Sequence, residues 1–522
     1  MADYVVVGAG AAGCLLAGRL SEDEGASVTL LEAGGSDRAL FVRLPAGFAK
    51  LFKTDRDWAY FTEPEPHLDS RRLFWPRGKM LGGSSSMNAM IYIRGTPGDY
   101  NRWEQLGCEG WGFRDVLPLF RKTERNARGA SPFHGGEGPL HVNDLVLVNE
   151  VSRAFLDACA ERGLPRNDDF NGERQEGYGR YQVNQRRGRR FSAVDAYLAP
   201  ARGRKRLRVE TAALATRLVF DGTRCTGVEY VKEGKLHRAY ASREVILAGG
   251  TINSPQLLLA SGVGPADELR KLDVPVVADS PGVGKNLQDH VMAIGNWACT
   301  RSVTLDTAEG LLNLLRFLIG GTGPLTSNIA EVGAFLKTEP TRSDPDLQLL
   351  FAPAWYIDHG FEKPEGCGFS MAAALLRPEA RGEITLRCAD VREPPRIVAR
   401  YLSGERDRRT LIEGVKRMRE IAAMNALASY RGTEHAPGED VKTDDDLARW
   451  LKRSVETIYH PVGTCKMGTG ADAVVDPRLR VRGIEHLRVA DASIMPTIPG
   501  GNTHAPTLMI AEKAVAMICE AR

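Results

Sequence analysis

Little in this 522-residue chain would tie it to a bilayer, a metal or a nucleic acid. No run approaches the roughly 20 apolar residues that a helix needs to span a membrane. The nine cysteines are scattered from Cys14 to Cys519 with no CxxC pair and no metal-ligand spacing. That pattern excludes a zinc ribbon or a disulfide framework and predicts reduced, mostly buried thiols in a cytoplasmic protein. The formal net charge is only +3, from 69 Lys+Arg against 66 Asp+Glu, too little for a nucleic-acid surface, and the basic run Arg186 to Arg190 reads as a solvated loop. No repeat or low-complexity tract is present. An apolar strand begins at Asp3, so no signal or transit peptide is expected ahead of it. Histidine is scarce, with ten in the chain, so a histidine in unusual surroundings stands out.

What is present points first to a nucleotide. The apolar segment Val5 to Val7 runs directly into Gly8-x-Gly10-x-x-Gly13, followed by a helical pattern and a second apolar strand, Val28 to Leu31. Gly8 permits a tight turn, Gly10 lets backbone approach a pyrophosphate, and Gly13 allows close packing of helix on strand. The helix N-terminus presents N–H groups and a positive dipole end to phosphates. Glu32, with Ala33 beside it, lies where an acidic side chain takes ribose hydroxyls. Strand, helix and acid all fall in place, which predicts a bound dinucleotide.

At this length two or more domains are expected. The sequence from Trp75 to Asn88, WPRGKMLGGSSSMN, offers amides and hydroxyls without bulk, a second surface able to hug a phosphate or a ring. Glu244 to Gly250 reads as a strand closing on paired glycines, and Thr251 to Gly264 as a helix with Pro255 in its first turn and Gly262 at its stop. Pro281 to His290 reads as a loop. We expect an α/β chain with a doubly wound, Rossmann-like nucleotide domain built from residues 1–150, 206–296 and 451–522. Residues 151–205 and 297–450 are expected to form a mixed α+β substrate domain.

Two histidines stand out by context. His460 lies in a Gly- and Pro-rich loop, YHPVGTCKMG, and His504 in PGGNTHAPT before a helical C-terminus. Imidazole is the side chain best poised to accept a proton near neutral pH. Two histidines without an acid or thiol at ligand spacing do not make a zinc site, so no metal is expected. His290, His359 and His435 lack comparable context and read as structural. The segment Leu311 to Ile319 is apolar nearly all round and reads as a helix packed on the second domain or in a dimer contact, with a membrane surface as the rival reading.

These motifs resemble those of the glucose-methanol-choline (GMC) oxidoreductases, FAD flavoproteins that oxidise alcohols. The resemblance runs from Tyr4 to about Ala521. It rests on the N-terminal fingerprint, Gly78 to Asn88, Gly250 to Gly264, and Val489 to Pro496 (VADASIMP). Phe74 to Lys79, Val455 to Cys465 and Ser327 to Glu331 look most like bacterial alcohol and choline dehydrogenases. The resemblance implies His460 as the base that takes the alcohol proton and His504 as its partner at a position held by Asn or His in the family. It implies FAD contacts at Gly82, Gly83, Asn88, Ala89, Ala215, Asp491, Ala492 and Thr503. Met87 stands where choline oxidase has a histidine joined covalently to its flavin, so non-covalent FAD is expected.

The implied reaction is oxidation of a primary alcohol, aliphatic or aromatic, to the aldehyde. Electrons would pass to a quinone or carrier, or to O2 with release of H2O2 if the chain is an oxidase. Choline is a weaker expectation, since no aromatic cage with an acid can be pointed to for a quaternary ammonium. The photodecarboxylase branch is similar over its full length but lacks both histidines and has a cysteine near Leu376. A hydroxynitrile lyase or a flavin-binding sensor would leave the flavin unbleached by alcohols. The expected location is cytoplasmic, with peripheral contact at an inner membrane as an option.

Overall fold

The computed structural model describes residues 1–520; Ala521 and Arg522 lie outside it. Five strands form a parallel sheet in the spatial order Leu207–Glu210, Val28–Leu31, Ala2–Val7, Lys235–Leu247, Leu487–Val489. By chain position this is 3-2-1-4-5, the doubly wound order, and its switch point falls between the strands ending at Val7 and Leu247. Val5, Val6, Val245 and Ile246 are fully buried because helices cover such a sheet on both faces. The helix Ala11–Leu20 is apolar on nearly every side, and the C-terminal helix His504–Glu520 packs against it. Glu512 on that helix is buried but compensated, with Arg19 at 3.2 Å and Lys122 at 2.5 Å.

The 13-residue strand Lys235–Leu247 has two halves. Its charged first half is exposed and pairs antiparallel with Arg224–Lys232, which pairs in turn with Leu214–Asp221. Its last three residues are buried in the parallel sheet. The helix after it begins at Gly250, one residue before the expected Thr251, and Pro255 lies inside it, not in its first turn. The reason is a cap the sequence does not advertise: the distant Asp491 carboxylate accepts the Gly250 N–H at 2.8 Å and the Ser254 hydroxyl at 2.6 Å.

The second sheet is antiparallel, in the order Arg431–Ala436, Val291–Cys299, Cys367–Leu375, Leu347–Ala352, Val332–Leu336, Gly177–Arg180. Glu456–Thr457 adds to the start of the second of these strands. Side chains alternate between the faces of a strand, and here the two faces do different things. Val291, Ala293, Leu349, Phe351, Met371 and Ala373 pack into one core with Leu411, Val415 and Met418 of the helix Glu405–Ala422. Met292, Ile294, Leu350 and Ala372 point the other way and roof a cavity whose floor is the nucleotide sheet. The expected α/β architecture, a doubly wound domain with a mixed second domain, is the one the chain adopts. No helix among the described residues is long and apolar enough to cross a membrane.

Phe351 is the keystone of the second core, fully buried with ring centroids of Phe155 at 4.7 Å and Phe369 at 5.6 Å. Phe351→Ala should destabilise this domain by about 3–5 kcal/mol, read as an early unfolding transition in denaturant while the first core stays folded.

Candidate active site

The nucleotide cradle forms where strand order reverses. Gly8 turns with φ of 95°, and a side chain there would meet the Ala248 carbonyl oxygen at 2.6 Å. A Cβ on Gly13 would lie 1.8 Å from the Gly8 carbonyl oxygen, so no other residue lets the helix sit this close. Gly10 differs: a Cβ there meets nothing nearer than the Ala248 carbonyl oxygen at 4.0 Å, and the residue lines the cavity. The helix Ala11–Leu20 has no side chain capping its N-terminus, which leaves its first amides and its positive dipole end for a ligand.

Three further elements close the cradle. Glu32 accepts the Ala9 and Gly34 N–H groups at 2.8 Å each, yet burial pushes its carboxyl up to about 7. The turn Gly82 to Asn88 crosses directly over the first glycine loop. The Gly82 N–H donates to the Ala9 carbonyl at 2.7 Å, and a Cβ on Gly83 would come within 2.8 Å of Gly10 Cα. Ala33 and Ala215 line the Glu32 end of the cavity; Asn88, Ala89, Asp491, Ala492 and Thr503 line it farther along. Gly8, Gly10 and Gly83 line it too, whereas Gly13 and Gly82 act behind the wall, by allowing close approach and the tight turn.

At the other end stands His460, and most of what fixes it comes from one tripeptide. His290 Nδ1 lies 3.0 Å from His460 Nδ1, the two rings nearly perpendicular at 86°. Asp289 accepts the His460 backbone N–H at 2.8 Å, the Thr457 hydroxyl at 2.6 Å and the Tyr401 hydroxyl. Gln288 donates to the Pro496 carbonyl at 3.1 Å and accepts the Ile498 N–H at 3.2 Å, which anchors the loop that leads to Asn502. Asn502 Nδ2 in turn lies 3.1 Å from His460 Nε2. Tyr459, just before the histidine, is held at φ of 69°, a left-handed conformation that non-glycine residues rarely adopt. Arg77 pins it by donating to its carbonyl at 2.6 Å, and the Tyr459 hydroxyl is tied to His359 Nδ1 at 2.6 Å and to the Tyr356 hydroxyl at 2.8 Å.

These contacts decide the proton positions. The Asn502 amide donates, so His460 Nε2 must offer its lone pair; His460 Nδ1 then carries the ring proton and donates it to His290 Nδ1. Burial holds the His460 imidazole well below its ordinary range, with His290 and Arg77 pushing the same way. Burial likewise lowers His290 to about 3, the Leu376 carbonyl only partly opposing it. The same desolvation raises Asp289 to about 6 against the bonds it accepts. The site thus keeps a neutral imidazole whose one lone pair, at Nε2, is held by the Asn502 amide, in a cavity that Phe48, Met292, Ile294, Leu350 and Ile458 also line.

Among the described residues, His504 makes no hydrogen bond to His460. Both ring nitrogens of His460 are taken, by His290 and Asn502, and His504 stands two residues on, as the first residue of the C-terminal helix. It lines the cavity, lowered to about 4 by burial and by nearby Arg190. His290, expected to be structural, is in the site, and Pro281 to His290 is its scaffold rather than a plain loop. The basic run is also not wholly solvated: Arg190 is buried, donating to the Val42 carbonyl at 2.8 Å and to Asn88 Oδ1 at 2.7 Å.

Two family models, both described as GMC oxidoreductase, match residues 2–292 and 378–511. The chain belongs to the GMC oxidoreductase family. It is 46% identical over 529 residues to mitochondrial choline dehydrogenase of Mus musculus, covering 99% of this chain and 89% of that one. It is 44% identical over 527 residues to alcohol dehydrogenase [acceptor] of Pseudomonas putida, covering 99% and 96%. Among solved structures, pyridoxine 4-oxidase from Mesorbium loti superposes with a TM-score of 0.91 at 33% identity, covering 99% of each chain. The enzyme acts on CH–OH groups, and FAD fits its cradle: the uncapped helix for the pyrophosphate, Glu32 for the ribose, the Gly82 to Asn88 turn for the ring system. Met87, which lines the cavity, offers a thioether and no ring nitrogen for a tether.

Gly13→Ala should abolish FAD retention while leaving the second core folded. The flavin-to-protein absorbance ratio of the purified variant reads this directly, alongside its denaturant unfolding.

Proposed function

We propose that this enzyme oxidises primary alcohols with an apolar alkyl or aryl chain to aldehydes, and that it works as a dehydrogenase. The observation that carries the substrate reading is the composition of the cavity wall around His460. Of the residues lining the cavity, the only acids are Glu32 and Asp491, and both are engaged with backbone amides of the nucleotide cradle. No carboxylate is left to neutralise a quaternary ammonium, while aliphatic and thioether side chains, with the rings of Phe48, Phe52, Trp58 and Tyr356 in the same lining, suit an alkyl or aryl chain. A choline dehydrogenase reading draws on the relatives of that name and competes with this wall. The dehydrogenase reading draws on the name of the Pseudomonas relative, which specifies an acceptor without saying which, and a quinone or carrier is the acceptor we propose.

FAD, when bound, supplies the acceptor for the hydride leaving the carbinol carbon. The chain supplies the rest. Once the substrate hydroxyl replaces the Asn502 amide on its lone pair, His460 Nε2 takes the hydroxyl proton, since a neutral imidazole is the available base. Asn502 Nδ2 orients that lone pair and can donate to the substrate oxygen. His290 fixes the tautomer from the far side of the ring, and Asp289 and Arg77 hold the strained backbone that aims it. The roof of Met292, Ile294, Leu350 and Ala372 excludes water and grips the chain of the alcohol.

Anaerobic mixing with a panel of primary alcohols tests the reading. Bleaching of the flavin that persists in air supports a dehydrogenase; rapid reoxidation with peroxide makes the enzyme an oxidase, and no bleaching by any alcohol overturns the proposal. His460→Ala should slow flavin reduction by about 10²–10⁴-fold with FAD content unchanged. Asn502→Ala should slow it by more than about tenfold and His504→Ala by less, an order that the reverse result would refute. Because a lowered imidazole pKa keeps the base form present at lower pH, the acid limb of kcat/KM should fall below pH 6.5. His290→Asn removes one of the groups lowering it and should move that limb upward.

A further inference from the structure

One surface of the molecule is explained by neither the fold nor the reaction. The helix Leu311–Gly320 buries only Phe317. Leu311, Leu312 and Ile319 are 71%, 76% and 84% exposed, and Leu315 and Leu318 are exposed as well. Their spacing (i, i+1, i+4, i+7, i+8) puts all five on one face. Leu40 and Phe41 of the short helix Leu40–Arg43 extend the apolar surface across a cleft lined by Leu40, Phe317 and Leu318. Arginines border it: Arg38 and Arg189 line the same cleft, Arg316 projects from the helix, and the Arg187 carbonyl abuts Gly321 at the helix end. Arg189 is built in, donating to the Leu318 carbonyl at 2.7 Å with its guanidinium 5.7 Å from the Phe317 ring. The acids near this face are matched, Glu309 by Lys50 at 3.8 Å and Asp37 and Asp195 by the cleft-lining Arg43 at 3.2 and 2.6 Å.

We infer that this face docks on an anionic lipid surface, with the helix lying in the plane of the interface. Five large aliphatic side chains on one helical face, rimmed by cations, are what acyl chains and anionic headgroups together recognise. Charge complementarity selects a lipid surface over a second copy of the chain, which would set arginine rim against arginine rim about a twofold axis. The docked face also lies next to the cavity wall. The turn Pro324–Thr326 packs on Pro45–Leu51, and Phe48 of the latter and Asn328 and Ile329, just after the turn, line the cavity. A lipid-soluble alcohol or acceptor would thus meet the enzyme beside the cavity instead of crossing water.

Flotation of the FAD-loaded enzyme with phosphatidylglycerol/phosphatidylcholine vesicles tests this without any substrate, so its outcome is separate from the alcohol reading. We expect binding to the mixed vesicles that weakens at high salt and is at least tenfold weaker on pure phosphatidylcholine. Leu312→Glu with Ile319→Glu should abolish it, and Arg38→Gln with Arg316→Gln should weaken it about fivefold per arginine. Neither pair touches the cavity, so thermal midpoint and turnover with a water-soluble dye should stay unchanged. Absence of flotation with the anionic vesicles overturns the inference, as does flotation indifferent to both pairs. A wild-type dimer in light scattering that Leu312→Glu with Ile319→Glu turns into a monomer overturns it in favour of a second copy.

Discussion

The hydrogen bond between His290 and His460 is the contact on which the site depends. It joins the residue just before the roof strand Val291–Cys299 to the loop that returns to the nucleotide sheet, across 170 residues of chain. Two imidazole nitrogens 3.0 Å apart can share one proton only, and with the Asn502 amide on Nε2 that proton belongs to His460. The neighbours of His290 extend the same control. Asp289 holds the backbone of His460, and Gln288 holds the loop ahead of Asn502. Three consecutive side chains therefore fix the backbone of the base, its ring, and the approach of its partner.

The cradle works by a different constraint, close approach. Where the two glycine loops cross, backbone lies on backbone, and added Cβ atoms at Gly8, Gly13 or Gly83 would overlap main-chain atoms. Such packing leaves no space for side chains to solvate a phosphate, so amides and a helix dipole must do so. Asp491 connects the cradle to the catalytic end. It caps the helix after the fourth parallel strand and, through Ser493, the turn that follows itself, which ties the C-terminal segment carrying Asn502 to the sheet.

What could be read from sequence follows from the range of the interactions involved. The strand, glycine turn, helix and acid of the first 32 residues are local and periodic, and the structure places each as expected. Family motifs located His460 for the same reason. The bond from Asn502 to His460 was not legible beside His504, because both stand in one Gly-rich turn and only the turn geometry shows which side chain bonds the ring in this structure. Gln288, Asp289 and His290 looked like a loop because their partners lie up to 210 residues away. Arg190 looked like one more solvated charge, and only the fold shows it under Asn88. The helix at 311–319 was rightly read as apolar, but its exposure could not be, since hydropathy is the same for a face packed inside and a face left outside.

The electrostatics of the site constrain the chemistry further. His460 is neutral because burial, His290 and Arg77 all oppose a positive charge on it. A ring so disposed is a weak resting base, and a proton taken from an alcohol would create an imidazolium close to a guanidinium in a dry cavity. That state is tolerable only if negative charge arrives in the same place at the same time. In the proposed reaction the alkoxide left by proton abstraction supplies it beside the ring, and the departing hydride then carries that charge toward the cradle. The features that depress the basicity of His460 thereby suppress idle protonation of the site, and the imidazolium forms only in the company of the charge that compensates it.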